Sequence, residues 1–170
     1  MPVNQIGVDA AIIFSDILVI PQAMGINVEM KNNFGPLIEN PIRTKKDIDK
    51  LNIHDIEEKL HYVFSAIQLT KKSLSNDIPL IGFAGSPWTI LCYMIQGSGS
   101  KNFDIAKNFC FKFPEMAHLL LKKITEVTKR YLSSQIESGV DAIQIFDSWG
   151  GVLSHSDYQT FSFPYIEEIC

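Results

Sequence analysis

The chain has 170 residues, 46% hydrophobic and 20% charged, so it is long enough for one full-sized domain and has the composition of a soluble globular protein. Its net charge of −4 argues against nucleic acid as the main partner, and no apolar run approaches the roughly 20 residues that span a bilayer, so no membrane segment is expected. Three widely spaced cysteines without a CxxC motif, and an N-terminus without a basic or apolar signal region, predict a reducing, cytoplasmic setting.

Three short apolar runs predict β-strands. They cover residues 10–14 (AAIIF), 79–83 (PLIGF) and 142–146 (AIQIF), and each is bounded by polar or turn residues. Continuous apolar runs of this length are typical of strands that are buried on both faces.

The segment between the first two runs carries a helical pattern. Asp55 and Glu58 have the spacing of a capping box. Apolar residues then recur on one helical face: Ile56, Leu60, Val63, Phe64 and Ile67. After the second run, Ser86 followed by Pro87 predicts a helix with a serine N-cap and proline in its first turn.

A longer helix is predicted before the third run. It opens at Pro114 and closes near Gly139. Its apolar stripe consists of Leu120, Ile124, Val127 and Tyr131. Residues 158–170 also have a helical pattern, in which Pro164 requires a turn or kink.

Strands that alternate with helices indicate βαβ units, an α/β fold and a parallel sheet. Two architectures compete, a doubly wound sheet and a (β/α)₈ barrel. No GxGxxG or Walker sequence follows the first strand, which removes the strongest marker of a nucleotide-binding sheet and favours the barrel. A complete barrel usually needs about 250 residues, so the sequence predicts only a part of one.

Polar residues follow all three predicted strands at their carboxyl ends, where α/β folds bind ligands. The sequences are Phe14-Ser15-Asp16, Phe83-Ala84-Gly85-Ser86 and Phe146-Asp147-Ser148-Trp149. Each has a purely structural alternative, because Ser86 fits an N-cap and Asp147 or Ser148 fits a turn. Their recurrence at three strand ends favours a ligand site at this edge of the sheet.

Other chemistry-bearing residues form no recognisable pattern. The four histidines, His54, His61, His118 and His155, lack HExxH or HxH spacing, so no metal site is expected. Tyr93 lies two turns into the helix that begins after Ser86, where packing in the core is its default role.

Long ordered motifs in this chain resemble the uroporphyrinogen decarboxylase family of haem biosynthesis. They are DAAIIFSDIL with IPQAMG, PLIGFAGSPWTILCYMIQGSGSK, QIFDSWGGVLS, GPLIENPIRT and FPYIEEI, and they extend over essentially the whole sequence. The resemblance implies a (β/α)₈ barrel, a cytoplasmic homodimer, and neither a metal nor an organic cofactor. The implied reaction converts the four acetate side chains of uroporphyrinogen III to methyl groups, which gives coproporphyrinogen III and four CO₂.

The same resemblance implies site residues. The family's central aspartate matches Asp16, which would be catalytic and would also bind the tetrapyrrole substrate. Its substrate-binding tyrosine matches Tyr93, and its strand-end serine or threonine matches Ser148. Phe14 and Phe83 match apolar residues around the macrocycle.

The chain also departs from the family pattern. An arginine-rich motif near the family's N-terminus, and a pocket histidine with further strands near its C-terminus, have no counterpart here, so residues 1–170 are expected to form a partial barrel domain. Two alternatives remain open. One is a corrinoid-dependent methyltransferase of the same barrel family, which would use zinc, and the other is a truncated chain without catalytic activity.

Overall fold

The computed structural model describes residues 2–31 and 35–170. In chain order the elements are α1 (Pro2–Ile6), β1 (Ala11–Ile12), α2 (Val19–Ala23), β2 (Val28–Lys31), β3 (Gly35–Ile38), α3 (Lys45–Asp49), α4 (Ile56–Lys59), α5 (His61–Ser73), β4 (Leu80–Gly85), α6 (Pro87–Gln96), α7 (Asp104–Lys112), α8 (Pro114–Glu137), β5 (Ala142–Phe146), a 3₁₀ helix (Gly150–Val152), α9 (His155–Phe161) and α10 (Phe163–Ile169). None of the described helices is long and apolar enough to cross a membrane.

A parallel sheet of β1, β4 and β5 forms the centre of the fold, with β4 in the middle. On one side Ala11 pairs with Leu80, and on the other Phe83 pairs with Gln144. Helices connect successive strands of this sheet, as parallel pairing requires. The predicted α/β architecture is therefore confirmed. The third predicted strand matches β5, the second is displaced to Leu80–Gly85, and the first is shortened to Ala11–Ile12.

An antiparallel hairpin of β2 and β3 was not predicted from the sequence. It lies beside the end of α6, because the Ile38 N–H donates to Gly97 O (2.7 Å) and Leu37 forms an isolated bridge with Ser98. The residues between its strands, 32–34, lie outside the described part of the chain.

Helix starts agree with the sequence at Ser86 and disagree at Asp55. The Ser86 side chain accepts a hydrogen bond from the Thr89 N–H (3.1 Å), which confirms the predicted N-cap of α6. Asp55 has φ 56° and makes no side-chain capping bond, so the predicted capping box there is wrong. An N-cap residue normally has an extended backbone, and Asp55 is left-handed instead. The structure has a capping box at Thr44 and Asp47, which begins α3.

The long predicted helix is confirmed as α8, and its stripe of Leu120, Ile124, Val127 and Tyr131 is buried. Helix α8 contacts α6, α7 and α10 as well as β4, so it anchors the core on one face of the sheet. The predicted interruption near Pro164 is also confirmed, as α9 ends at Phe161 and α10 begins at Phe163.

The two faces of the sheet differ in burial. Ile143 and Ile145 of β5 pack against the core that the helices cover. On the opposite, inner face, Phe14 is 91% exposed, Ile12 49% and Phe146 39%. The prediction of burial on both faces is therefore confirmed for the central strand β4, whose residues are buried or half-buried on both sides, and wrong for the outer strands β1 and β5. In a closed barrel, side chains from further strands fill the inner face.

Candidate active site

A groove of about 440 Å³ lies at the carboxyl ends of the three parallel strands. It is lined by Ile12, Ile13, Phe14, Ser15, Asp16, Ile17, Phe83, Phe146 and Ser148. The fold thus brings together the strand ends that the sequence singled out, although they are distant along the chain. A larger groove of about 650 Å³ is lined by residues 24–27, 39–42, 47, 50–52 and 59, and it includes none of the predicted site residues.

Asp16 sits in the turn between β1 and α2. Its Oδ1 accepts a hydrogen bond from the Leu18 N–H (2.8 Å), and its backbone oxygen accepts one from the Val19 N–H (3.2 Å). This Asx-type turn holds the carboxyl group while the side chain stays exposed towards the groove. Because water reaches it, this carboxylate carries no large desolvation cost in the described structure. It is placed to accept N–H donors from a ligand.

Aromatic rings form the walls around Asp16. Phe83 and Phe146 meet edge to face, with ring centroids 5.6 Å apart at an interplanar angle of 72°. Phe83 is 7% exposed, whereas Phe14 projects almost entirely into the open. Apolar walls around a single carboxylate suit a ligand that is largely apolar and carries a few polar hydrogens.

Ser148 is exposed on the groove, but the residue before it is tied into the fold. Asp147 Oδ1 accepts hydrogen bonds from the hydroxyls of Ser86 (2.5 Å) and Thr89 (3.0 Å), and its Oδ2 accepts one from Ser162 (2.7 Å). All three hydroxyl-bearing residues are fully buried. Asp147 therefore joins the ends of β4 and β5 to α6 and to the α9–α10 junction. This confirms the structural alternative for Asp147 and leaves Ser148 directed at the groove.

Tyr93 does not line the groove. Its ring packs edge to face against Phe103 (5.8 Å between centroids) and Trp149 (6.3 Å). Tyr93 is half-buried, and its ring packs against neighbouring aromatic side chains, as the sequence predicts for a tyrosine inside this helix. The proposed contact of its hydroxyl with substrate stays a prediction.

The buried thiols have no part in this site. Burial raises the pKa of Cys110 to about 12, and burial followed by the nearby Cys110 raises the pKa of Cys92 well above its usual range. Both side chains are therefore neutral thiols near neutral pH and poor nucleophiles. Within residues 2–31 and 35–170, no three His, Cys, Asp or Glu side chains are grouped as metal ligands.

Sequence reasoning missed three residues that shape this region. Thr89 and Ser162 bind Asp147, and Gln135 binds the backbone of Phe83 through both ends of its amide. Thr89 and Gln135 reach partners more than 50 positions away, so no local spacing could reveal them. A glutamine on the apolar face of α8 was the one available signal for Gln135, since fully buried polar side chains are normally hydrogen-bonded.

Comparison with known proteins identifies close relatives. The family model of uroporphyrinogen decarboxylase (URO-D) matches residues 1–170. Curated uroporphyrinogen decarboxylases from Flavobacterium johnsoniae and Christiangramia forsetii are 60% and 58% identical, each over 99% of this chain, and one from Chlorobium limicola is 56% identical over 98%. The chain covers 49%, 50% and 48% of these three proteins, so it spans about half the length of the curated relatives it matches.

A solved structure supports the architecture independently. A methyltransferase from Methanosarcina mazei superposes with a TM-score of 0.79 at 19% identity, covering 98% of this chain and 49% of that one. At that identity the likeness shows the fold alone, and it confirms the predicted partial (β/α) barrel. Since the family model matches every residue and the relatives share more than half of the aligned positions, this chain belongs to the uroporphyrinogen decarboxylase family.

Proposed function

We propose that residues 1–170 form part of the barrel domain of an enzyme that decarboxylates the four acetate side chains of uroporphyrinogen III, which gives coproporphyrinogen III. The observation that carries the proposal is the groove at the strand ends, where Asp16 and Ser148 lie among Phe14, Phe83 and Phe146. Family membership supplies the substrate class. In this proposal the chain contributes one part of the substrate site.

The reaction needs an electron sink. Loss of CO₂ from an acetate on a pyrrole leaves an electron pair at the methylene carbon, which the ring can accept if a ring carbon has first been protonated. The exocyclic methylene then takes up a proton to become a methyl group, and the ring loses the proton that it gained. Each acetate therefore releases one CO₂ and consumes one proton. The pyrrole itself serves as the sink that a cofactor supplies in other decarboxylations.

Asp16 has the charge and the position for this chemistry. Its carboxylate would accept hydrogen bonds from pyrrole N–H groups and stabilise the cation that develops on ring protonation. Preorganised electrostatic groups in comparable catalytic sites contribute about 2.7–4 kcal/mol each. Burial of the groove by a bound macrocycle would strengthen the interaction, because charges attract more strongly when water is excluded. The hydroxyls of Ser148 and Tyr93 would bind substrate carboxylates, and Phe14 and Phe83 would contact the macrocycle.

The cytoplasmic location and the homodimer belong to the same proposal. Three free thiols, of which Cys170 is exposed, suit a reducing compartment. The exposed inner-face residues Ile12 and Phe14 indicate that further protein surface covers this side in the working enzyme.

The test uses a full-length chimera, in which this chain replaces the aligned half of the Flavobacterium johnsoniae relative. Asp16→Asn should lower the rate of CO₂ release from uroporphyrinogen III by about tenfold or more, since the amide keeps the shape but not the charge. Asp9→Asn is the matched control, because Asp9 is also exposed but lies at the opposite end of β1. Near-normal turnover by the Asp16→Asn chimera would contradict the proposed role.

A further inference from the structure

The ladder between β1 and β4 stops one step before the groove. The Ala11 N–H donates to Pro79 O and the Ile13 N–H donates to Ile81 O, both at 2.9 Å. Because alternate residues of a strand direct their N–H and C=O groups to the same side, Phe83 faces β1 just as Ile81 does. A continuing β1 would therefore bind the backbone of Phe83.

The side chain of Gln135 takes that position instead. Its Oε1 accepts a hydrogen bond from the Phe83 N–H (3.0 Å), and its Nε2 donates to Phe83 O (2.9 Å). Gln135 is fully buried in the last turns of α8, and it reaches the strand across 52 sequence positions. One amide side chain thus supplies both hydrogen bonds that a strand residue would supply.

Gly82 provides the space for this contact. A Cβ atom at Gly82 would collide with Gln135 Oε1 and would lie 3.0 Å from Ile143 Cδ1. Hence the approach of the Gln135 amide to the strand depends on the missing side chain of its neighbour.

Beyond this point β1 departs from its register with β4. Pairing of Ala11 with Leu80 would place Asp16 opposite Gly85 if the register continued. It is Ile17 that contacts Gly85, where a Cβ would lie 3.1 Å from the Ile17 Cβ. The segment 14–16 therefore does not continue the β1–β4 register.

We propose that Gln135 is a positioning residue for the groove: by pairing with the backbone of Phe83 it keeps β1 from closing the ladder and so holds Asp16 at the groove. Without this amide, the buried N–H and C=O of Phe83 lack partners, and continuation of the β1–β4 ladder would supply them from Ile13 O and the Ser15 N–H. Pairing there would draw Asp16 out of its turn. This inference rests on the proposed function for its link to substrate, but the placement of Asp16 can be measured without substrate.

The first experiment measures amide hydrogen exchange in the 170-residue chain. Gln135→Leu keeps the approximate size and removes both hydrogen bonds. The Leu18 N–H, which donates to Asp16 Oδ1, should then exchange at least about tenfold faster, as should the Phe83 N–H. The matched control is Thr128→Val, because the Thr128 hydroxyl is buried on the same helix without a hydrogen-bond partner in the described structure. We expect it to leave both exchange rates unchanged.

A second variant, Gln135→Glu, separates hydrogen bonding from packing. The neutral form of the introduced carboxyl group can accept from the Phe83 N–H and donate to Phe83 O, so it restores both bonds, whereas the ionised form repels the carbonyl. Burial raises the pKa of such a carboxyl above its unfolded value, so the restored contact is present on acidification and is lost as the pH rises through the raised pKa. In Gln135→Glu, the Leu18 N–H should therefore exchange as slowly as in wild type at low pH. It should exchange faster than in wild type once the pH exceeds the raised pKa of the glutamate.

The third measurement is the affinity of the full-length chimera for uroporphyrinogen III. Gln135→Leu should weaken binding by about tenfold or more, and Gln135→Glu should do so only at the higher pH. Unchanged Leu18 exchange in a folded Gln135→Leu chain, or protection in Gln135→Glu that ignores pH, would overturn the proposal. Altered Leu18 exchange with unaltered affinity would also overturn it. A full-length chimera with Gln135 intact that does not bind the tetrapyrrole would count against the proposed function, while Leu18 exchange would still decide whether Gln135 places Asp16.

Discussion

Removal of the Asp147 carboxylate should destabilise the chain, because this group holds buried hydroxyls at the ends of β4 and β5. Asp147 accepts three hydroxyl hydrogen bonds, from Ser86, Thr89 and Ser162, and each donor is fully buried. Hydrogen bonds to charged groups contribute about 1.5–3 kcal/mol each, and an unsatisfied buried hydroxyl costs about 1–3 kcal/mol. These values are not additive here, because the three donors share one acceptor group and water enters the space.

We therefore expect Asp147→Ala to lower the free energy of unfolding by about 3–5 kcal/mol, because it leaves three buried hydroxyls without their shared acceptor. Asp147→Asn should cost less, about 1–2 kcal/mol, because its amide oxygen still accepts from Ser86 and Thr89 while its NH₂ group faces Ser162. A larger loss of unfolding free energy for Asp147→Ala than for Asp147→Asn would support the hydrogen-bond geometry as well as the size of the effect.

Urea unfolding followed by tryptophan fluorescence is the direct assay. Trp88 Nε1 donates to the backbone oxygen of Trp149 (3.0 Å), so the Trp88 indole lies beside the loop that carries Asp147 and reports on its unfolding. Asp16→Asn is the comparison, since an asparagine oxygen still accepts from the Leu18 N–H and the side chain is exposed. That variant should change the unfolding free energy by less than about 0.5 kcal/mol. A loss below about 1 kcal/mol for Asp147→Ala would refute the reasoning.

Two further predictions concern other parts of the chain. Tyr93→Phe should leave the melting temperature unchanged, because the ring contacts with Phe103 and Trp149 remain, and should weaken uroporphyrinogen binding in the chimera; unchanged affinity would assign Tyr93 to packing. Glu57→Gln should cost about 0.2–1 kcal/mol near neutral pH, because its pair with Arg130 is partly exposed. Since the Arg130 hydrogen bond lowers the pKa of Glu57, this contribution is present above the unfolded pKa and is lost as the pH falls through the folded one. Urea unfolding at a series of acidic pH values measures this contribution. If Glu57→Gln and the wild-type chain still differed in unfolding free energy in strong acid, the ion pair could not be the cause.

Helix starts could be predicted from the sequence where the residues that define them lie within one helical turn of each other. The N-cap at Ser86 depends on a hydroxyl three residues from its N–H donor, and the start of α8 depends on Pro114 itself, so both could be inferred from neighbours alone. At Asp55 the same kind of local prediction is wrong. Its spacing to Glu58 fits a capping box, but a left-handed backbone at Asp55 removes the geometry that the box needs.

The burial of the strands could not be predicted from their composition. The run AIQIF is apolar at every position except Gln144, yet its residues alternate between exposed and half-buried positions. An apolar inner face is what a closed barrel requires, and the same face is exposed where only three parallel strands are described. An apolar sequence shows that a strand face is suited to burial. Whether that face is buried depends on which other strands are present to cover it.

Asp16 and Asp147 occupy similar places in the sequence but have different hydrogen-bond partners in the structure. Each follows a strand and lies one or two residues after a phenylalanine, so strand-end position does not distinguish them, and only the family resemblance favours Asp16. The structure separates them by their partners. Asp147 accepts three buried hydroxyls, so its hydrogen-bonding capacity is directed into the fold, and a ligand could use it only by displacing those bonds. Asp16 accepts one backbone N–H in its side chain and otherwise faces the groove, so its charge remains available to a ligand with N–H donors. The number of internal donors, rather than position in the motif, identifies which strand-end carboxylate is the candidate for chemistry.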